Sequence, residues 1–283
     1  MKFRKVAILG TGLLGASFAF AAKNRGLCEK ISAWSRSEST RKKCSMLPKI
    51  FDEVFDSPEK AVSDADLVVI CTPTENIPGI AAQIAPSLKK GAVVTDVGSV
   101  KGKICELCSK PIASCGAHFV GSHPMAGSEK IGIDFADEKL FDSRPCFVTP
   151  LSNADEDSAK NVSELWRAMG MRVYVVSTQL HDAIVARISH LPHLAAALIC
   201  DTAADFDINL LPYSGPGFRD TTRVASGSPQ IWESIITDNR GEILSALGEF
   251  SERLGRLVKA IESSDMQAVS EILKKAKSFR DKL

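Results

Sequence analysis

A glycine motif near the start of the chain restricts the possible folds more than any other feature of the sequence. The motif G-x-G-x-x-G occupies residues 10–15, directly after the apolar run 6–9 and ahead of a helical stretch. In such a strand–turn–helix unit the first glycine permits a tight turn, the second lets a pyrophosphate approach the backbone, and the third lets helix and strand pack closely. The free N–H groups at the helix N-terminus then favour phosphate. We therefore predict a dinucleotide site whose binding residues include Gly10, Gly12, Leu13, Leu14 and Gly15.

The same segment also resembles a secretory signal, because Lys2, Arg4 and Lys5 precede an apolar stretch that runs to Ala22. The competing interpretation is a buried strand, a glycine turn and a helix, and the glycine spacing favours it. We expect no later apolar stretch to be long enough to cross a bilayer. The sequence therefore predicts no membrane partner.

Short apolar runs alternate with helical stretches through the first half of the chain. The runs are residues 6–9, 31–34, 66–71, 92–96, 118–120, 146–148 and 171–176. Continuous apolar runs, without alternation, indicate strands that are covered on both faces. Helices that connect parallel strands provide such cover. We predict an α/β fold with a Rossmann-type, doubly wound, mostly parallel sheet in a dinucleotide-binding domain over residues 1–178.

The pattern changes after about Thr178, where long helical stretches replace the β-branched runs. Apolar residues near the C-terminus recur at spacings of 4, 3, 4, 3 and 4, at Ile243, Leu247, Phe250, Leu254, Leu257 and Ile261. This stripe indicates one face of a helix, which packs either inside an all-helical domain or against the same helix of a second chain. We predict a helical substrate-binding and dimerisation domain over residues 179–283. A homodimer is expected, since closed two-fold dimers are the commonest oligomers.

Charge and cysteine content exclude several kinds of partner. The 283 residues include 35 basic and 34 acidic side chains, a formal net charge of +1, so we expect no bulk attraction to nucleic acid. Any anionic ligand must then be held by local charge.

Eight cysteines are scattered along the chain, and Cys105 and Cys108 form the one C-x-x-C pair. Because a zinc site usually needs two such pairs, we predict no metal, free thiols and a reducing, cytoplasmic location.

The segment after the second predicted strand indicates which dinucleotide binds. An NAD enzyme usually places Asp or Glu about 20 residues after the glycines, where the carboxylate holds the ribose 2′-hydroxyl. Here that place reads Ser35-Arg36-Ser37, followed by Thr40 and Arg41. Arg36 can pair with a 2′-phosphate, or it is an ordinary solvated cation. We predict NADP as the cofactor, with NAD as the less favoured alternative, and expect Ser35, Arg36, Ser37 and Thr40 to bind it.

Two residues follow predicted strands at positions that suit catalysis. His123 comes after the fifth predicted strand and Ser99 after the fourth, and ligands of a doubly wound sheet bind beyond the carboxyl ends of its strands. His123 is therefore expected near the nicotinamide, where an imidazole can act as a base near pH 7. Ser99 could bind a substrate hydroxyl, cap the helix expected to start near Lys101, or do both.

Two segments of the predicted helical domain carry further candidates. His190 and His193 flank a Leu-Pro pair within a helical stretch, and the segment 217–223 carries Arg219 and Arg223. Arginine suits bidentate binding of a carboxylate, although solvation at the surface also explains Arg219. These side chains are candidates for holding an anionic substrate.

Six segments occur in an order that is found in one enzyme family. They are residues 10–15, 71–73, 96–101, 123–127, 189–193 and 217–223. The most specific are His-Pro-Met-Ala-Gly, Ser-His-Leu-Pro-His and Phe-Arg-Asp-Thr-Thr-Arg. Together they resemble the prephenate/arogenate dehydrogenase family of tyrosine biosynthesis. The resemblance implies an active site in the cleft between the two domains, and oxidative decarboxylation of prephenate to 4-hydroxyphenylpyruvate, of arogenate to tyrosine, or of both.

The resemblance also implies a role for individual residues. His123 would bind the ring C4 hydroxyl and take its proton as hydride leaves, and Ser99 would assist at the same hydroxyl. His193 and Arg223 would hold the substrate, with Arg223 on a carboxylate. The remaining implied residues are Glu129 in a gating or positioning network, Trp232 near the substrate, and Thr72 and Pro73 on the nicotinamide side of the pocket.

Alternatives differ in substrate and in chemistry. The residues after His123, together with His193, resemble prephenate-accepting and dual-specificity members, whereas the 35–37 loop resembles NADP-using arogenate members. β-Hydroxyacid dehydrogenases share the architecture but need a catalytic lysine on a glycine-rich helix, a pattern that residues 160–200 lack. A protein that binds NADP without turnover would not need the intact set His123, Ser99, His193 and Arg223.

Overall fold

The computed structural model describes residues 2–127, 130 and 132–283. The strands are β1 (Phe3–Leu9), β2 (Cys28–Trp34), β3 (Glu53–Phe55), β4 (Leu67–Ile70), β5 (Val93–Asp96), β6 (His118–Phe119), β7 (Gly121–Pro124), β8 (Pro145–Thr149) and β9 (Arg172–Val175). The helices are α1 (Leu13–Asn24), α2 (Glu38–Ser45), α3 (Pro58–Val62), α4 (Ile77–Ile84), α5 (Gly102–Ser114), α6 (Glu156–Ala168), α7 (Thr178–Val185), α8 (Leu191–Phe206), α9 (Pro216–Thr222), α10 (Pro229–Asp238), α11 (Arg240–Glu262) and α12 (Met266–Arg280).

Six strands form one parallel sheet in the order β3-β2-β1-β4-β5-β6. The four side chains of β4 are fully buried, because helices cover both faces of the sheet. Phe18 and Trp166 pack against one face, and Ile84 and Ile104 against the other. The strand order reverses between β1 and β4, which is where a doubly wound sheet binds its ligand. These features confirm the predicted Rossmann-type fold.

A smaller sheet joins β7 antiparallel to β8, and β8 parallel to β9. The predicted strands around 146–148 and 171–176 therefore form, but they belong to this second sheet. The prediction also missed β7, which it left in the segment after the fifth strand. Gly121 lets β7 pass close to α5, since a Cβ at this position would lie 2.5 Å from Sγ of Cys105.

In the helical half, one π-helical turn, Ala186–His190, joins α7 to α8. Pro192 lies in the first turn of α8. Because proline has no backbone N–H, it cannot donate the usual hydrogen bond to the residue four positions earlier. A wider turn before the proline accommodates that loss. A small core forms where Ala186 meets Ile235 of α10 and Ile243 of α11.

The predicted apolar stripe lies on α11, but only part of it is buried within this chain. Ile243 is buried, whereas Phe250, Leu254 and Ile261 are 39%, 50% and 56% exposed. The N-terminal part of the stripe therefore contributes to the core of the helical half. Its C-terminal part forms an exposed apolar face in the single chain.

The sequence analysis expected no apolar stretch after Ala22 to be long enough to cross a bilayer. By length and composition, however, the continuous helix 178–206 could do so. Its polar side chains contact other parts of the protein. His181 contacts His123, and Arg187 pairs with Glu249 of α11 at 2.5 Å. Contacts of this kind are those of a helix packed against the rest of a folded chain.

Candidate active site

The three glycines of the first turn meet three different requirements. Gly10 has a φ of +98°, and a Cβ there would lie 2.7 Å from the carbonyl carbon of Cys71. A Cβ at Gly15 would lie 2.0 Å from the carbonyl oxygen of Gly10, whereas one at Gly12 would meet nothing within 4 Å. The first and third glycines are therefore required by packing, and the second leaves the backbone open to a ligand.

A cavity of about 410 Å³ opens beside this turn. Its lining residues are Gly10, Thr11, Gly12, Trp34, Ser35, Arg36, Ser37, Cys71, Thr72, Pro73, Glu75, Asn76, Gly79 and Ile80. The structure thus brings together most of the predicted cofactor residues. The others have different positions: Leu13, Leu14 and Gly15 begin α1 after the turn, and the backbone N–H of Thr40 donates to the N-cap side chain of α2, Ser37.

Two features of the cavity fit the phosphates of a dinucleotide. Helix α1 has Gly12 at its N-cap position, with no side-chain cap and no acidic residue in its first turn, so its N-terminal N–H groups are open to an anion. Thr72 Oγ1 is buried without a hydrogen-bond partner among the described residues. A buried polar atom of this kind is normally satisfied, and a bound ligand would supply the partner.

The loop after β2 forms one wall of the cavity. Arg41 Nη1 donates to the carbonyl oxygens of Ser35 at 2.7 Å and Arg36 at 3.0 Å, which holds the loop in place. Ser37 caps α2 by accepting from the backbone of Thr40. The Arg36 side chain is exposed and makes no hydrogen bond or ion pair within the described chain. Glu75 also lines the cavity, and it is a carboxylate for which the sequence predicted no role.

His123 lies on β7 and is 8% exposed. Its Nδ1 lies 2.9 Å from Nε2 of His181, and Nδ1 of His181 lies 2.7 Å from Oδ1 of Asp182. The sequence analysis missed His181 and Asp182. The sequence signal for them is the His-Asp pair at 181–182, which begins five residues after a predicted strand.

The same carboxylate binds the first turn of α5. Asp182 accepts hydrogen bonds from the backbone N–H groups of Lys101 and Gly102, each at 2.9 Å. Burial opposes ionisation of Asp182, but the hydrogen bonds from His181, Lys101 and Gly102 outweigh it and lower the pKa. An ionised Asp182 therefore links the helical half to the nucleotide-binding half.

Burial also determines the charge of the two histidines. It lowers the pKa of His123 well below its usual range, and the nearby His181 and Lys101 lower it further. Burial lowers the pKa of His181 as well, although the hydrogen bond to Asp182 opposes this. Both rings are therefore neutral near pH 7, and a neutral imidazole can accept a proton.

A fully buried ion pair attaches β7 to the end of β5. Lys101 Nζ contacts the carboxylate of Asp96 and donates to the carbonyl oxygen of Ser122 at 2.9 Å. Asp96 also accepts from the backbone N–H of Ser122 at 3.1 Å and of Gly98 at 2.8 Å. The strand that carries His123 is thus fixed at the carboxyl end of the main sheet, as the sequence predicts for this histidine.

In the sequence, Ser99 lies between Asp96 and Lys101, and its side chain is half-buried. It does not cap α5: the helix has Lys101 at its N-cap position and no side-chain cap from that residue. The alternative that Ser99 serves as the N-cap is therefore wrong, because Asp182 binds the N–H groups that such a cap would bind. Among the described residues, no side chain or backbone group is hydrogen-bonded to the Ser99 hydroxyl, which can therefore bind a ligand.

In the helical half, the ring of His193 stacks on Trp232. A hydrogen bond to the backbone of Val224 raises the pKa of His193, but burial has the larger effect and lowers it. Arg223, next to Val224, is exposed and has no hydrogen bond or ion pair within the described chain. Arg219 is also exposed and donates from Nε to Ser214.

A series of contacts connects the two halves of the site. Asn239 Nδ2 lies 2.9 Å from the carbonyl oxygen of Asp182 and 3.3 Å from Nδ1 of His190. The His190 ring lies edge-on to Trp232, with ring centroids 5.9 Å apart. His123, His193 and Trp232 thus belong to one connected cluster. Glu129 lies outside the described residues, so its predicted role stays a prediction.

Comparison with known proteins shows similarity along the whole chain. Models described as the nucleotide-binding domain and the dimerization domain of prephenate dehydrogenase match residues 18–175 and 177–275. Cyclohexadienyl dehydrogenase of Zymomonas mobilis is 32% identical, over 98% of this chain and 95% of that protein.

Two solved structures are similar over nearly their full length. Prephenate dehydrogenase from A. aeolicus, in complex with hydroxyphenyl propionate and NAD⁺, superposes with a TM-score of 0.92 at 31% identity, covering 99% of this chain and 98% of that one. Synechocystis arogenate dehydrogenase superposes with a TM-score of 0.85 at 30% identity, covering 98% and 99%. These similarities agree with the two-part architecture described above.

Proposed function

The chain belongs to the prephenate dehydrogenase family, and from this premise we propose that it oxidises and decarboxylates prephenate, arogenate or both, with NADP as the preferred cofactor. The observation that carries the proposal is His123. It is a buried, neutral imidazole on a strand that Asp96 and Lys101 fix at the carboxyl end of the main sheet. The dinucleotide cavity opens at the same edge, where β1 and β4 end.

The reaction requires a base at the ring C4 hydroxyl of the substrate. When bound, the nicotinamide accepts the hydride that leaves C4. His123 takes the hydroxyl proton, so that the electron pair of the O–H bond forms the carbonyl. The bond from the ring to its carboxylate then breaks, CO₂ leaves and the ring becomes aromatic. The oxygen on C4 then belongs to a phenolate, and the proton held by the protein returns to this oxygen. The reaction therefore releases no net proton.

The remaining predicted residues would orient the substrate. We assign Ser99 to the same hydroxyl as His123, because its own hydroxyl does not cap α5. His193 and Trp232 form a flat, partly buried surface on which a ring can lie. Arg223 has no carboxylate partner within the described chain and can pair with a carboxylate of the substrate. Glu129 is assigned to a gating network.

NADP is favoured by the loop after β2. Arg36 is exposed at the cavity wall, with Ser35 and Ser37 on either side and Arg41 holding the backbone beneath them. A guanidinium in this position suits a 2′-phosphate better than a hydroxyl.

We further propose a cytoplasmic homodimer. All eight cysteines are free thiols, as suits a reducing compartment. The exposed apolar side chains Phe250, Leu254 and Ile261 on α11 would be covered by the same helix of a second copy. The balanced charge gives no reason to expect a nucleic-acid partner.

The test is a matrix of four assays that follow absorbance at 340 nm, with prephenate or arogenate as substrate and NADP⁺ or NAD⁺ as cofactor. We expect turnover with prephenate, and a higher kcat/KM with NADP⁺ than with NAD⁺. Comparable kcat/KM values for prephenate and arogenate would identify a dual-specificity enzyme. Absence of turnover in all four assays, in a protein that still binds NADP⁺, would refute the proposed activity.

A further inference from the structure

The buried pair His181 and Asp182 is not among the residues to which the sequence assigned a role. We propose that this pair is a proton relay: it fixes the tautomer of His123 and stores the proton that His123 takes from the substrate. The inference rests on the proposed function, in which His123 is the base. It follows from two hydrogen bonds and from the different environments of the two rings.

The tautomers follow from the hydrogen bonds in sequence. An ionised carboxylate only accepts, so Nδ1 of His181, 2.7 Å from Asp182, carries a hydrogen. In a neutral ring this leaves Nε2 of His181 as an acceptor. His123 Nδ1, 2.9 Å away, must then be the donor. The lone pair of His123 is consequently on Nε2, the ring nitrogen that makes no hydrogen bond within the described chain.

The same contacts give the proton a second position. When Nε2 of His123 gains the substrate proton, the hydrogen on Nδ1 can pass to Nε2 of His181. The positive charge then lies next to the carboxylate of Asp182. A charge on His123 itself is disfavoured by burial and by the nearby ammonium of Lys101. When the phenolate forms, both transfers reverse, and the proton returns to the product oxygen.

Asp182 also makes the relay depend on how the two halves of the chain are arranged. Its carboxylate is carried by α7 but bound by the N–H groups of Lys101 and Gly102 at the start of α5. Without these two bonds the carboxylate would lose its fixed orientation toward His181. The relay is therefore complete only when α5 and α7 are packed as they are here.

A purely structural role for Asp182, as the cap of α5, is the competing explanation. Nitrogen NMR on wild-type enzyme labelled at histidine separates the two, and the chain has only five histidines to assign. We expect His123 and His181 both to carry hydrogen on Nδ1. A hydrogen on Nε2 of His123 in the resting enzyme would overturn the relay, whatever the mutants do.

The kinetic test compares Asp182→Asn with Lys103→Met. The first removes the carboxylate charge, and we expect kcat to fall on the order of 10²- to 10⁴-fold, with the acidic limb of the pH profile of kcat/KM moving to lower pH. The second breaks the Lys103–Asp238 ion pair, which also joins α5 to the helical half, at 2.6 Å. This control should stay within about 2-fold of wild type, since an exposed ion pair contributes little.

The outcomes separate the relay from the base itself. If His123→Asn is inactive but Asp182→Asn keeps wild-type kcat and pH profile, the relay is wrong and the proposed function stands. If His123→Asn keeps the wild-type rate, the proposed base is wrong. A lower melting temperature of Asp182→Asn with no change in kcat or pH profile would show that Asp182 is only a helix cap.

Discussion

The imidazole of His193 lies nearly flat on the indole of Trp232, with ring centroids 3.5 Å apart and ring planes 11° from parallel. Gly227 closes over this stack: a Cβ there would lie 2.6 Å from Nε1 of Trp232 and 3.0 Å from Cε1 of His193. The stack thus occupies a slot with no room for a side chain at position 227. Its rings are held as one rigid surface.

Replacing the indole removes this surface. In Trp232→Leu we expect KM for the substrate to rise about 5-fold, because a stacked aromatic pair contributes about 1 kcal/mol beyond the area it buries. The Kd of the dinucleotide should not change, since Trp232 is outside its cavity. Steady-state kinetics and a cofactor titration measure the two constants. Phe279→Leu, at a side chain that is 70% exposed, is the control; an unchanged KM in Trp232→Leu would contradict the assignment.

The strands that contain a run of apolar residues could be predicted from the sequence, whereas β3 and β7 could not. The run 66–71 contains β4, whose side chains are fully buried, so its apolar pattern is continuous. β3 has only three residues, all partly buried, and β7 reads Gly-Ser-His-Pro. In β7 the polar side chains are buried because they have partners: Ser122 Oγ binds Thr95 Oγ1 at 2.8 Å. Periodicity cannot detect a strand that is stabilised in this way.

Some residues of the candidate site could likewise be predicted from the sequence, and others could not. Gly10 and Gly15 are recognisable because a backbone conformation or a close approach permits no other residue. His123 is recognisable from its place after a strand. His181 and Asp182 have no such signature, since their role comes from contacts with residues 58 and 81 positions away. Contacts over such distances are set by the packing of α7 against α5, which a single sequence does not encode locally.

His123→Asn should remove the base while leaving the cofactor cavity intact. We expect kcat to fall by about 10²- to 10⁴-fold, the usual contribution of a positioned base. The Kd of NADP⁺ should stay within about 2-fold, because His123 does not line the cavity and the effect is confined to the chemical step. Stopped-flow absorbance at 340 nm and a fluorescence titration give the two values. A loss of NADP⁺ affinity that matches the loss of kcat would contradict this separation.

Lys101→Met tests the buried ion pair between the two sheets. The substitution leaves the carboxylate of Asp96 with no exposed surface and no counter-charge. Removing one partner of such a pair typically costs about 3–5 kcal/mol, so chemical unfolding should show a loss of that size. The double variant Asp96→Asn with Lys101→Met removes both charges and should recover part of the loss. Equal instability of the single and double variants would show that the charge is not the cause.

Arg36→Ser tests the cofactor preference. The guanidinium would make a charge-assisted bond with a 2′-phosphate, worth about 1.5–3 kcal/mol, so KM for NADP⁺ should rise about 10- to 100-fold. KM for NAD⁺ should hardly change, since NAD⁺ lacks that phosphate. Lys42→Ser is the control, because Lys42 is an exposed cation on α2 that pairs with Glu38 at 2.8 Å. Equal effects of Arg36→Ser on both cofactors would contradict the predicted contact.

His190 should make the stability of the protein depend on pH in a definite range. Burial lowers the pKa of His190 from 6.5 to about 4, and the ring accepts a hydrogen bond from Asn239 at 3.3 Å. The unfolded chain therefore binds a proton at a higher pH than the folded chain does. The stabilisation is fully present above pH 6.5 and is lost as the pH falls from there toward 4.

The size of this effect can be measured with His190→Gln, whose amide oxygen can still accept from Asn239 but does not titrate. Between pH 7.5 and pH 5 the wild-type protein should lose about 2 kcal/mol more unfolding free energy than the variant does. Urea unfolding at the two pH values gives the difference, and the comparison at pH 7.5 corrects for any packing defect. Asp182, whose pKa is lowered, loses its own contribution only at more acidic pH. Parallel losses in the two proteins would mean that His190 is not the group that titrates.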